Sequence, residues 1–291
     1  RRVPAHVYSG TTDEVMGMPA PDPGEEYPHV NTQLWGEVLP ASNATLSAEK
    51  TVSPYNLPPH AGVPSMSGFI TDYVTTATRE VGSPPPPAVV DQIMGGFSPE
   101  MLPVLSTLAR EFAVFDHWFA AVPTQTYANR SFFHASTSHG FVTNHGGGYR
   151  KWLDAEATPT IFNRLEEAGL SWRIYFDEDQ LLSLTGFLHA PALKRYWKSD
   201  RFAYMSDFYA DAANGTLPAY AFIEPRMIYN HNDFHPPFGQ YRTVQADDMT
   251  LVDSAVSDVR AGEALVADVY NAVRSASARH GSNAHNTALL I

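Results

Sequence analysis

The 291-residue chain is 44% hydrophobic and 12% aromatic, with 17% charged residues, a composition that supports a sizeable core in one or two domains and excludes wholesale disorder. A formal net charge of −12 argues against nucleic acid as a partner, because its phosphate backbone would be repelled overall. There is no cysteine, hence no disulfide framework or thiolate metal site, and no run of about 18 apolar residues that would mark a spanning helix.

Residues 1–60 are rich in Pro, Gly, Asn and Ser and predict ordered loops around short helices, one of them near His29 to Trp35. Arg1-Arg2 is not followed by the apolar stretch of an export signal, so export, if it occurs, needs a signal region outside these residues. Asn43-Ala44-Thr45 and Asn214-Gly215-Thr216 match the glycosylation pattern, which is common by chance. Four prolines, Pro84 to Pro87, favour an extended segment. Ser98-Pro99-Glu100 reads as a helix start with proline at its first position, the helix running through Leu102, Leu105, Leu108 and Ala109. Phe112 to Phe115 is an apolar run suited to a buried strand.

Further on, Thr160 to Ala168 predicts an amphipathic helix stopped by Gly169. Ser171 to Phe176 alternates like a strand, and Tyr220 to Pro225 is a second strand with an acid, Glu224, at its end. Ala261 to Ser275 predicts a helix, and Ala288 to Ile291 a last buried strand, cut off at its end. Helix–strand alternation of this kind predicts an α/β fold with a mostly parallel sheet. Glu166-Glu167 and Asp247-Asp248 read as solvated faces.

Three clusters could carry chemistry. In Thr124-Gln125-Thr126-Tyr127-Ala128-Asn129-Arg130, a threonine sits where a helix compatible with Ser131 to Ala135 begins. Free N–H groups and the helix dipole there favour an anion. A threonine oxygen attacking phosphorus, with Arg130 on the phosphoryl oxygens, is one use of such a place, and a plain threonine cap is the other. Asn230-His231-Asn232-Asp233-Phe234-His235-Pro236-Pro237 gathers imidazoles and a carboxylate in one loop. Such a loop binds metal, positions phosphate, or is simply a polar turn. Ser136-Thr137-Ser138-His139-Gly140 and His145 offer a Ser/His pair without a nucleophile elbow, and Gly146 to Gly148 lacks the ending of a phosphate loop.

The stretch Phe112 to Arg130 resembles the phosphoesterase family of non-specific phospholipases C and related acid phosphatases. Their pattern is an apolar strand, Asp-x-Trp-Phe, a Val-Pro turn and Thr/Ser-x-Pro-Asn-Arg. Asp22-Pro23-Gly24 with Gln33-Leu34-Trp35-Gly36, Met66-Ser67-Gly68-Phe69, Gly215 to Tyr220, Ile223-Glu224-Pro225 and Asp233-Phe234-His235-Pro236 follow in family order. The resemblance implies an alkaline-phosphatase-like three-layer α/β/α sandwich in one phosphoesterase domain over residues 1–291, partial at both ends. It implies phosphoester hydrolysis, phospholipid among the substrates, through a phosphorylated Thr126 beside a divalent metal that Thr126 also ligates. Catalytic roles fall to Thr126, Arg130 and His235, and substrate contacts to Asn129, Asp233 and His139. An acid phosphatase, or a non-catalytic domain on the same fold, is the alternative.

Two departures stand out within the chain: Ala128 replaces the usual proline, and Glu25 stands where many members have histidine. The family's Glu-Asn metal motif and its later Asp-Glu-His-Gly-Gly motif are absent, and their places in the pattern fall before Arg1 and after Ile291. The expectation that follows is that most metal ligands lie outside these residues, which would be inactive alone.

Overall fold

In the computed structural model, residues 3–17, 19, 21, 23–36, 63–144, 148–227, 231–235, 244–246, 249–251 and 258–291 are described. Asp22, the Asn43 sequon, His145, Gly146, Gly147, Asn230, Pro236, Pro237, Asp247 and Asp248 lie outside them. The helices are α1 (Asp13–Met16), α2 (Tyr27–Trp35), α3 (Phe69–Val81), α4 (Pro87–Gln92), α5 (Pro103–Glu111), α6 (Thr126–Ala135), α7 (Arg150–Leu153), α8 (Ile161–Glu167), α9 (Leu184–Leu188), α10 (Ala190–Leu193), α11 (Met205–Asn214) and α12 (Val259–Ser275). The strands are β1 (His6–Val7), β2 (Gly95–Gly96), β3 (Trp172–Phe176), β4 (Phe202–Tyr204), β5 (Tyr220–Ile223), β6 (Val244–Ala246) and β7 (Met249–Leu251).

The core is built on β3. Alternate side chains of a strand point to opposite faces. Trp172 and Ile174 accordingly pack with Phe162 of α8 and Leu193 of α10. Tyr175 packs on the other side with Met205 and Phe208 of α11 and Val269 of α12. β4 and β5 flank β3, and both pairings are parallel. Each link between these strands passes through helices, as parallel pairing requires. β1 and β2 form a second, two-stranded parallel pair, and β6 and β7 an antiparallel one. The expected mixed α/β character with parallel strands is thus present, in small sheets.

Local chemistry fixes the helix ends. Thr160 caps α8 through a capping box with Asn163, and Gly169, expected to stop the helix, adopts φ +69° after it. Pro87 is the first residue of α4, so the proline run ends as a helix start. α5 begins at Pro103, after Leu102 at φ −121°, ψ 66°, not at Ser98. Proline has no N–H and pushes the preceding residue out of the helical region, so Pro103 separates the turn at Ser98 from the helix. Glu166 also departs from expectation: it accepts from Trp172 Nε1 at 2.8 Å and pairs with Arg201 at 3.0 Å.

Two strand expectations fail. Phe112 to Phe115 and Ala288 to Ile291 form no strand, and Phe115 is 64% and Ile291 67% exposed. A strand exists only where a neighbour takes its N–H and C=O groups. Among the described residues neither segment has such a neighbour. Apolar character alone therefore does not make these runs strands.

Candidate active site

Thr126 is the first residue of α6, exposed to solvent, and Gln125 before it is extended at φ −67°, ψ 177°. The plain-cap alternative does not apply, because Gln125 and not Thr126 holds the N-cap position. The cap instead comes from a neighbouring loop. Tyr127 N–H donates to Asn144 Oδ1 at 2.9 Å, while Asn144 N–H donates to Gln125 Oε1 at 3.0 Å. That loop is anchored in turn: Trp152 Nε1 donates to the Asn144 carbonyl at 2.7 Å, and Thr124 Oγ1 to the Val142 carbonyl at 2.6 Å. Trp152 is fully buried with Ala128 and Leu188. Ala128, where the family has proline, thus lies in a packed contact. Burial holds the Tyr127 phenol protonated, its pKa pushed up to about 12.

Asn129, expected to meet substrate, has its carboxamide engaged by the loop ahead of Thr126, with Nδ2 donating to the carbonyls of Val122, Thr124 and Gln125. Arg130 lies one helical turn beyond Thr126, on the same face of α6. Its Nη1 is 3.4 Å from both Thr185 Oγ1 and Glu224 Oε1, and its Nη2 is 3.5 Å from Met227 Sδ. Glu224, at the end of β5, is 1% exposed. Sequence reading saw it only as an acid after a strand; its partners lie 39 and 94 residues away, and no local pattern reports them.

The second cluster is tied to the first. Arg226 N–H donates to Asn232 Oδ1 at 2.6 Å, and Asn232 N–H to the Arg226 carbonyl at 3.3 Å. Met227, next in sequence, touches Arg130. Beyond Asn232, Asp233 Oδ1 accepts from His235 N–H at 3.1 Å and lies 3.3 Å from His231 Nδ1. His235 Nε2 is 3.0 Å from Glu25 Oε1, so the residue replacing the family histidine meets the candidate catalytic one. Arg226 also pairs with Asp177 at 3.1 Å, at the rim of an open cavity of about 400 Å³ beyond the carboxyl ends of β3 and β5. Open parallel sheets bind ligands at that end of their strands.

His139 sits at φ +57° with its N–H on Thr137 Oγ1 at 3.1 Å. Burial lowers its pKa, against the pull of Glu156. Among the described residues no hydrogen bond joins it to Ser136 or Ser138, and His145, the other histidine of that reading, lies outside them. Two further histidines, not singled out in the sequence, are His134, near the end of α6, and His189, which follows α9. His134 and His189 are buried with ring centroids 5.6 Å apart. Burial is the main cause of lowered pKa values of about 2 for His134 and about 4 for His189.

Among the described residues, no group of three or more His, Cys, Asp or Glu side chains is arranged to hold a metal ion. Thr126 offers one oxygen. These residues by themselves do not fit a divalent ion.

An exposed hydroxyl at a braced helix start, beside a parallel sheet and one turn from an arginine, is the frame of the candidate site in this α/β protein. The chain belongs to the phosphoesterase family, whose model matches residues 4–291. It is 33% identical over 259 residues to non-specific phospholipase C1 of Arabidopsis thaliana, covering 87% of this chain and 38% of that protein. Non-specific phospholipase C5 of the same plant is 34% identical over 224 residues, 75% of this chain and 36% of that protein. Non-specific phospholipase C4 is 29% identical over 266 residues, 88% and 39%. The chain therefore spans about two fifths of the length of the curated relatives it matches.

Proposed function

We propose that the protein carrying these residues is a phospholipase C-like phosphoester hydrolase with Thr126 as nucleophile. The observation that carries this is the exposed Thr126 at the first position of α6, braced by Asn129 and Asn144, with Arg130 one turn on. The proposed domain is a single phosphoesterase unit with an alkaline-phosphatase-like sandwich, of which the β4-β3-β5 sheet with helices on both faces is a part.

In the proposed reaction, Thr126 Oγ gives up its proton to solvent as it forms a bond to phosphorus, and the bond from phosphorus to the leaving alcohol oxygen breaks. His235 gives the alcohol its proton. Arg130 and the N–H groups at the start of α6 hold the phosphoryl oxygens as charge builds on them. Water then loses a proton to His235 and attacks phosphorus, the phosphorus–Thr126 bond breaks, Thr126 takes a proton back from solvent, and phosphomonoester leaves. The family's divalent ion belongs to the proposal as a Lewis acid beside Thr126. The described residues do not complete a site for it, and no step here runs through it. Substrate is a phosphoester, with phospholipid favoured by the relatives' names. Among the described residues no helix is long and apolar enough to cross a membrane.

The test is to trap covalent phosphocholine on Thr126 in the full reading frame during turnover of phosphatidylcholine, with Thr126→Ala as control. Phosphocholine on another residue, or full turnover by Thr126→Ala, would overturn the assignment. A simple aryl phosphate run in parallel separates phospholipase from phosphomonoesterase.

A further inference from the structure

Glu224 is a buried carboxylate with an unusual set of partners. Its Oε1 accepts from Thr185 N–H at 2.7 Å and from the Thr185 hydroxyl, and Arg130 Nη1 lies 3.4 Å away. Its Oε2 is buried with no partner among the described residues, and so is Arg130 Nε. Among the described residues Arg130 Nη2 meets only a thioether, and the guanidinium carbon stands 5.7 Å from the centre of the Phe222 ring. A guanidinium and a carboxylate free to pair would close to about 2.8 Å through two parallel bonds. These two do not close, although both are largely withdrawn from solvent.

As a stabilising device this arrangement is poor. A buried ion pair rarely repays its desolvation, and half-satisfied buried polar groups cost more still. As an orienting device it is well built. Thr185 lies in the first turn of α9, next to the Ser183 cap, so Oε1 is fixed by a rigid element. The arginine is held by one nitrogen and a ring face, which leaves Nη2, on a weak thioether acceptor, to take a stronger one.

We propose that Glu224, fixed by Thr185, is a positioning residue that aims Arg130 at the phosphoryl group on Thr126. Resting on the Thr126 assignment, it adds a residue to that site. Glu224 takes Nη1 and sets the plane of the guanidinium. Arg130 itself stands one turn along α6 from Thr126, on the same helix face. No proton or bond changes at Glu224.

The test uses the full reading frame. Glu224→Gln keeps shape and the acceptor for Thr185 but removes the charge that orients Arg130. Loss of an orienting partner lowers function by roughly 10- to 100-fold, and the expected loss is in kcat on phosphatidylcholine, with KM nearly unchanged, read on protein shown to be folded, since leaving Arg130 without its counter-charge also lowers the melting temperature. The decisive readout is chemical rescue. Free guanidinium restores turnover to Arg130→Ala when Glu224 is present and fails in the Arg130→Ala, Glu224→Gln double variant. Equal rescue in both, or parental kcat in Glu224→Gln, overturns the proposal. If Glu224→Gln does not fold, Thr185→Val, which keeps the N–H and loses the hydroxyl, takes its place with the same expected losses. Thr126→Ala separates the two claims: if it is inactive while Glu224→Gln is normal, only the positioning role fails; if it is active, both do.

Discussion

Asn129 and Val122 exchange two hydrogen bonds: Val122 N–H donates to Asn129 Oδ1 at 3.0 Å, and Asn129 Nδ2 donates back to the Val122 carbonyl at 3.0 Å. The same Nδ2 reaches the carbonyls of Thr124 at 2.9 Å and Gln125 at 3.1 Å. One side chain in the first turns of α6 thereby fixes the four residues that deliver Thr126. Asn129→Ala removes every one of these bonds and leaves the Val122 N–H unpaired, at a cost of roughly 1–3 kcal/mol. Asn129→Asp keeps the acceptor but sets a carboxylate against three carbonyls, and is expected to be no better. Urea unfolding measures the first effect, and turnover at saturating substrate measures displacement of Thr126. An Asn129→Ala protein with parental stability and kcat would show that the loop holds itself.

Glu263 does for α5 what no residue beside α5 can. The position before the helix is Leu102 and its first residue is Pro103, neither of which can accept from the free N–H groups at that end. Glu263 of α12, 5% exposed, accepts from Val104 N–H at 2.6 Å and Leu105 N–H at 3.0 Å. Its charge also suits the positive end of the helix dipole. Glu263→Ala leaves two N–H groups unpaired and is expected to lower unfolding free energy by roughly 1–3 kcal/mol. Glu263→Gln keeps one acceptor and should recover about half of that. Hydrogen exchange at Val104 and Leu105 reports the local loss directly; unchanged protection there would contradict the cap.

Gly68 lies where α3 starts against α2. A Cβ on it would meet the Thr32 carbonyl oxygen at 1.6 Å, a backbone atom that cannot move aside. Next to this contact, His29 Nδ1 lies 2.8 Å from Asp72 Oδ1, and Gln33 Nε2 donates to Asp72 Oδ2 at 2.8 Å. Gly68→Ala must therefore part the two helices and stretch both links, an overpacking cost of about 1–3 kcal/mol or more. A thermal melt checks it, and an alanine variant as stable as the parent would exclude so close an approach of the helices.

The sequence carried what is local and lost what is not. The helix beginning at Thr160, Gly169 after it, and the alternation of β3 each arise within a few residues, and each was legible. The start of α6 was legible as a place for an anion, but its actual cap, Asn144, comes from 17 residues further on. The Glu224 carboxylate and its Thr185 anchor are 39 residues apart, and Glu263 is 159 residues from Val104. Contacts at such separations leave no periodicity. The strand readings of Phe112 to Phe115 and Ala288 to Ile291 failed for the same reason, since a strand is completed by a neighbour that its own residues do not specify.

His134 and His189 make acid stability the last test. Neither His134 nitrogen has a hydrogen-bond partner among the described residues, nor does His189 Nε2. The His134 ring lies 4.6 Å from that of Phe222 and 5.0 Å from that of Phe162. Burial, the mutual repulsion of these imidazoles and of His139, and the Arg130 charge all oppose protonation, giving folded pKa values of about 2 and about 4. In the unfolded chain both titrate near 6.5. Below that value the unfolded chain takes up protons that the folded protein refuses, so stability falls as pH falls. The loss begins near pH 6.5 and continues toward pH 4 for His189 and further for His134. Each histidine contributes a slope of roughly 1 kcal/mol per pH unit in that window. His134→Phe and His189→Leu should each flatten the fall in unfolding free energy between pH 6.5 and 4.5 while leaving stability at pH 8 within about 1.5 kcal/mol of the parent. Urea titrations at half-unit pH steps read this directly. A variant whose acid limb matches the parent's would mean that its imidazole is already charged in the folded protein.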